Sequence, residues 1–225
     1  MRNSILERLN KVNDVPVRSV EDKAFLTYGR ILTGYDFSEL IEYMERYTAI
    51  PESGNVYTAS VPEMELCSAK KHIEAAVYGG MPVQIGYCNG RTETCNGFEY
   101  HKGSELNIAV TDFMLMLGHS YDIKDNSYDV SQAEVFYVPR GCVIEMYQTT
   151  LHLSPLRVCT EGFKDIVILP RGTNTPFEKT ECGGDPEQRL LLQRNKWVIA
   201  HPEREPLIRQ GAYPGVTGEN KRLYF

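Results

Sequence analysis

A chain of 225 residues with 42% hydrophobic and 10% aromatic content can bury one sizeable core with a lobe attached to it. Its 24 Lys+Arg against 30 Asp+Glu give a net charge of −6, and no basic run tracks a phosphate backbone, so nucleic acid is not an expected partner. No stretch reaches the roughly 18 consecutive apolar residues of a membrane span, and the opening MRNSILERLNKVNDVPV has no apolar segment of signal-peptide length, so the expected location is the cytoplasm.

In chain order, the first third reads as helical. Ser19 to Asp22 has the form of a helix start, an oxygen-bearing cap followed by carboxylates that suit the positive end of the dipole. Asp36 opens a second helix, in which Phe37, Leu40, Ile41 and Met44 recur at the steps of one buried face. A third is predicted from Ser68 to Tyr78, ending at Gly79 and Gly80. From Pro82 the texture changes to short runs rich in β-branched and aromatic residues: VQIGY, FEYHKGSELNIAV, DFMLMLG, AEVFYVP, CVIEMY, TLHLSPLRV and DIVILP, separated by turn chemistry. Evenly spaced short strands predict a mainly β sandwich or barrel. The expected organisation is a helical lobe over 1–81 and a β-barrel with a C-terminal tail over 82–225. LLLQRNKWVIAH reads as one more strand, and the Gly/Pro-rich end GAYPGVTGENKRLYF either closes over the barrel or crosses to a second subunit. A homodimer is expected.

The six cysteines contain no C-x-x-C pair, which argues for reduced thiols over zinc or disulfides, although Cys88 and Cys95 flank NGRTET and could meet across a turn.

The chemistry concentrates where strands carry polar residues they do not need for packing. Strand alternation places Glu99 and His101 on one face, and a turn at Lys102-Gly103 can return Glu105 to the same cavity. Glu145 and His152 follow on a neighbouring hairpin. The expected metal ligands are His101, Glu105, Glu145 and His152, a nitrogen and oxygen set suited to Mn, Zn, Fe or Co. A lone histidine in a β-rich chain is more often a hydrogen-bonded structural residue, which is the reading for His72, His119 and His201. His101 and His152 differ because each accompanies a carboxylate inside an apolar run, where an unpaired charge is costly.

These residues also carry a resemblance. His101-x-x-x-Glu105 looks like the latter half of the first cupin motif, and Pro139-Arg140-Gly141 resembles the turn that opens the second. The pattern departs in two places: Glu99 stands where the first motif histidine would be, and Glu145 or His152 must stand for the displaced histidine of the second. Over the whole chain, EYHKGSELNIAVTDFMLMLG, VPRGCVIEMYQTTLHLSP, RNKWVIAHPE and GAYPGVTGEN are similar to a bacterial family of unknown-function domains related to the cupin that isomerises 5-deoxyglucuronate, one branch of which converts sulfoquinovose to 6-deoxy-6-sulfofructose. The resemblance implies a cupin barrel, a divalent metal and an aldose-ketose isomerase acting on a small sugar. Alternatives are another metal-dependent cupin enzyme, such as a ureidoglycolate-type lyase or a dioxygenase, and a non-catalytic sugar-binding cupin. Moving a carbonyl from C1 to C2 requires a proton-transferring group, for which Glu145 and then Glu134 are the candidates. A sulfonate requires fixed cations, for which Arg157, Arg140, Arg171 and Lys102 are candidates, with Glu219 and Asn220 of the tail for sugar hydroxyls.

Overall fold

The structure is a computed structural model that describes residues 2–178 and 184–225. It is mainly β, as expected from the sequence, built of several sheets with helices gathered towards the N-terminal end. The six-stranded sheet runs, in spatial order, β2 (Gly29–Ile31), β10 (Val143–Met146), β6 (Glu105–Ala109), β13 (Phe163–Pro170), β4 (Val83–Gly90) and β3 (Asn55–Thr58). The five-stranded sheet runs β1 (Val17–Ser19), β9 (Glu134–Val138), β7 (Phe113–His119) and β11 (Thr150–Leu151), with β12 (Leu156–Arg157) also on β7. A three-stranded sheet joins β14 (Leu191–Gln193), β15 (Lys196–Ala200) and β5 (Gly97–Tyr100), and β16 (Val216–Thr217) pairs with β8 (Tyr128–Asp129).

Register decides what each face of the large sheet meets. Leu106 and Ile108 of β6 lie opposite Ile168 and Ile166 of β13, and with Val83 and Ile85 they form the outer apolar face. Helix α2 (Ser38–Tyr47) covers that face with Leu40 and Met44, helped by Met64 and Ile73. The inner face faces the five-stranded sheet: Ala109, Ile144, Met146, Val167 and Leu169 pack against Phe113, Leu115, Leu117, Phe136 and Val138. Removing this apolar surface from water on both sides of one sheet is the main stabilising contribution.

The helical expectations hold in part. The start near Ser19 becomes a single 3-10 turn, Lys23–Thr27, and its cap is Asp22, which accepts from the Ala24 N–H at 2.8 Å. Helix α1 (Arg2–Val12) precedes it, and the helix after Asp36 is α2. The third helix divides into α3 (Ala69–His72) and a π-helical turn, Ile73–Val77, with Gly79 and Gly80 at positive φ behind it. The first 81 residues are not purely helical. They also supply β1, β2 and β3, strands at the edges of both large sheets, because short edge strands lend themselves to pairing.

The run read as one strand, LLLQRNKWVIAH, is the β14–β15 hairpin, turned at Asn195 with φ 52°. The tail folds back on its own chain: Val216 pairs with Tyr128, Leu223 is fully buried, and the Leu223 N–H donates to the Glu93 carbonyl at 2.8 Å. Helix α4 (Glu205–Arg209) lies between the hairpin and this tail. Cys88 and Cys95 are free and buried, so they do not bridge; Cys182 lies outside the described residues.

Ile108→Ala, at the centre of the outer face, is expected to cost about 2–5 kcal/mol through lost burial and the cavity left behind. The shift of the urea midpoint, at unchanged slope, measures it.

Candidate metal centre

Four side chains converge at one end of the space between the sheets. Glu99 lies on β5 beside His152, and the two backbones pair directly: the Glu99 N–H donates to the His152 carbonyl at 2.6 Å and the His152 N–H to the Glu99 carbonyl at 3.0 Å. This link brings residues 53 positions apart in sequence side by side. His101 follows directly after β5, and the turn over 102–104 returns the chain as β6, whose first residue is Glu105.

Each potential ligand is aimed by a second contact. His101 Nδ1 lies 2.7 Å from the Asn195 carbonyl and His152 Nδ1 lies 3.0 Å from the Thr150 carbonyl, so both rings give their Nδ1–H to backbone and turn Nε2 inward. Glu99 Oε2 is ion-paired with Lys196 Nζ at 2.5 Å, and its Oε1 lies 3.8 Å from His101 Nε2. Glu105 Oε2 sits between the imidazoles, 3.4 Å from His101 Nε2 and 3.2 Å from His152 Nε2. Among the described residues, the buried Nε2 of His101 has no hydrogen-bond partner. One ligand atom each of Glu99, His101 and His152 lies within 4.8 Å of the others.

The electrostatics match the geometry. Burial alone would raise the Glu105 pKa, but the neighbouring imidazoles, His152 foremost, hold it well below the ordinary carboxylate value. Burial alone would lower the His152 pKa, yet the Glu105 carboxylate pushes it up to about 9. Glu99 is held below its ordinary value against burial by Lys196 and the imidazoles. The His152 proton and the Lys196 ammonium thus offset the buried carboxylates, and a divalent cation would supply the same sign of charge. An unpartnered imidazole nitrogen facing two buried carboxylate oxygens fits a divalent ion.

The centre opens on a cavity of about 220 Å³ lined by Glu99, Glu105, Lys196, Asn107, Asp165 and Tyr57, among others. Arg204 stands in the same lining, half-buried, with its guanidinium on the Asn96 side-chain oxygen and, among the described residues, no carboxylate partner.

The expected residues divide sharply. His101, Glu105 and His152 come together as anticipated, and Glu99 joins them. Glu145 does not. It lies opposite Leu106 in the β10–β6 register, on the outer face, where Arg30 Nε binds its Oε2 at 2.7 Å; neither a ligand nor a proton-transfer role fits that position. Glu134 is likewise elsewhere, accepting from the Tyr28 hydroxyl at 3.0 Å and paired with Arg18 at 3.2 Å. Among the expected cations, Arg140 pairs with Glu45, Arg171 with Glu65 and Lys102 with Glu187, all away from the cavity lining. Arg157 is bound to Glu93 and lines an adjoining groove that shares Asn55 and Arg204 with the cavity. Glu219 pairs with Lys221, and the Asn220 amide donates to Glu203 at 2.8 Å, so neither tail residue reaches the cavity. His201 is structural, accepting from the Glu203 N–H at 3.2 Å, and His119 is stacked between Tyr28 and Tyr121.

Sequence reasoning missed Lys196, Asn195, Asn107, Asp165 and Arg204. For Asp165 and Asn107 a signal existed, a polar residue inside an apolar strand run.

A family model described as a domain of unknown function, DUF4867, matches residues 17–221. The chain belongs to this family. No protein of curated function matches it in sequence. Among solved structures, oxalate decarboxylase of Bacillus subtilis is similar at 10% identity and a TM-score of 0.31, over 43% of this chain and 24% of that one. The same enzyme at pH 4.6 gives 10% identity and 0.31 over 43% and 23%. The match thus spans about a quarter of the decarboxylase chain. No helix among the described residues is long and apolar enough to cross a membrane.

Two outcomes are expected. Purified protein binds one divalent ion per chain, and His101→Ala or His152→Ala weakens binding by more than the ~10–100-fold that loss of an outer partner such as Lys196 causes; calorimetric titration reads both. In the ion-free protein, the raised His152 pKa stabilises the fold fully below its ordinary 6.5 and ceases to do so as pH climbs through about 9. The thermal midpoint should therefore fall over that window, and fall less once metal is bound.

Proposed function

We propose that the protein is a metal-dependent aldose-ketose isomerase, with sulfoquinovose to 6-deoxy-6-sulfofructose as the conversion implied by the sequence resemblance. The observation that supports this most directly is the pairing of a buried His/carboxylate centre with a small cavity whose walls are rich in hydroxyl-binding groups. Asn55, Tyr57, Asn107, Ser154 and Asn174 all line it. Amides and hydroxyls that both donate and accept are what a polyhydroxylated ligand requires.

His101, His152, Glu99 and Glu105 would hold the ion, which when bound polarises a carbonyl and stabilises the negative charge that isomerisation develops on oxygen. Lys196 keeps Glu99 directed by occupying Oε2 and adds a positive charge to the cavity wall. The Tyr57 hydroxyl accepts from the Asn174 amide at 2.7 Å, and its pKa is raised by burial and by the Glu105 charge, so it remains a neutral donor to substrate oxygens. Arg204 takes the role first sought in Arg157, Arg140 and Lys102. A sulfonate keeps its charge at every physiological pH, and a half-buried guanidinium that has no carboxylate partner among the described residues is available to bind it. Burial lowers the Arg204 pKa, the cost of holding that charge away from water until an anion arrives.

The test is incubation of metal-loaded protein with sulfoquinovose and with neutral aldoses in D₂O, followed by NMR. Ketose should form from the sulfonated sugar, and deuterium at C1 marks proton transfer through solvent-exchanging groups. Protein that carries stoichiometric metal yet converts no aldose defeats the reading. Arg204→Gln should raise KM for the sulfonated sugar by about 10–100-fold, the worth of one or two charge-assisted hydrogen bonds, with a much smaller effect on neutral sugars.

A further inference from the structure

Asp165 is a buried carboxyl in the cavity lining that the metal centre does not use. It lies on β13 between Ala109 of β6 and Cys88 of β4, on the same sheet face as Asn107 and Val167. It is fully buried, and among the described residues no Lys, Arg or His comes within ion-pair distance of it. Its Oδ2 accepts from the Asn107 amide at 2.8 Å, and the same Nδ2 donates to Glu105 Oε1 at 3.0 Å. Among the described residues, neither its buried Oδ1 nor Asn107 Oδ1 has a hydrogen-bond partner.

An unpaired carboxylate in such surroundings costs far more than a protonated one, so the group holds its proton. Burial, then the Glu105 charge, pushes its pKa well above the ordinary value, against the Asn107 hydrogen bond. Because the amide N–H occupies Oδ2, the proton belongs on Oδ1, the oxygen left without a partner among the described residues. A structural carboxyl would have its second oxygen satisfied, as nearly all buried polar atoms are.

Resting on the isomerase reading above, we propose that Asp165 is a catalytic residue that moves the oxygen-bound proton of the sugar. Aldose-ketose conversion requires one proton to leave O2 and one to reach O1, whichever way the carbon-bound hydrogen passes from C2 to C1. Oδ1–H gives its proton to O1 and receives the O2 proton in exchange. The O2–H bond breaks, an O1–H bond forms, and the carboxyl ends neutral as it began. Asn107 is the positioning residue, since one amide fixes both Asp165 and the metal-facing Glu105.

Two measurements test this. Infrared difference spectra of ion-free and metal-loaded wild type against Asp165→Asn should show a protonated-carboxyl C=O band that shifts in D₂O and is absent from the variant. Asp165→Asn, with metal content unchanged, should lower kcat by about 10²–10⁴-fold with KM little altered, the range for loss of a proton-transfer group. Absence of the band in wild type overturns the proposal even if the variant fails to fold. A variant within threefold of wild-type kcat overturns it while leaving the isomerase standing. A wild type that binds metal but converts no aldose removes both.

Discussion

Everything at this site depends on a buried negative charge held between two buried imidazoles. Glu105 lies within 3.2 Å of His152 Nε2 and 3.4 Å of His101 Nε2, in an interior where an isolated carboxylate would be very costly. The fold accommodates it by presenting positive charge from His152 and Lys196, and by tying the outward nitrogen of each ring to a backbone carbonyl. Such an arrangement contributes little to stability compared with an apolar core of the same volume. Its presence beside a cavity, buried and not needed for packing, is what marks it as a candidate site.

The sheet separates this polar centre from the apolar mass. On β6, β13 and β4, side chains alternate between an outer face sealed by α2 and an inner face that is apolar at one end and polar at the other. Rigid strands thus carry Glu105, Asn107 and Asp165 at fixed spacing, while Glu99 and Lys196 come from the smaller sheet, His101 from the residue that follows β5 and His152 from the segment that follows β11. Residues from separate sheets meet at the candidate metal centre, so the completed fold, rather than any local motif, creates the site.

Much of this was legible in the sequence, and the failures have a common cause. The β texture after Pro82 and the His101/Glu105 spacing can be read because both are local. Glu145 could not be placed, because alternation shows which residues share a face but not which face is inward, and β10 is apolar on both: Val143 packs outward while Ile144 and Met146 pack inward. Only the pairing of Glu145 with Leu106 settles it. Cations such as Arg157 and Arg140 resist assignment for a different reason, since a flexible side chain takes whichever carboxylate folding brings near. Asp165 carries the same signal as His101, a charge in an apolar run, but no spaced partner such as Glu105 singles it out in the sequence.

The hairpin turn at Asn195 reaches further than a connection between β14 and β15. Its carbonyl fixes the His101 ring, its side-chain oxygen accepts from the Lys102 N–H at 2.8 Å, and the next residue is the lysine that directs Glu99. One left-handed residue therefore governs two donors of the centre at once. Any displacement of this hairpin, by a ligand on Trp197 or by a neighbouring molecule, would be felt at the ion as a change in coordination, which makes the outer rim of the small sheet a handle on the chemistry within.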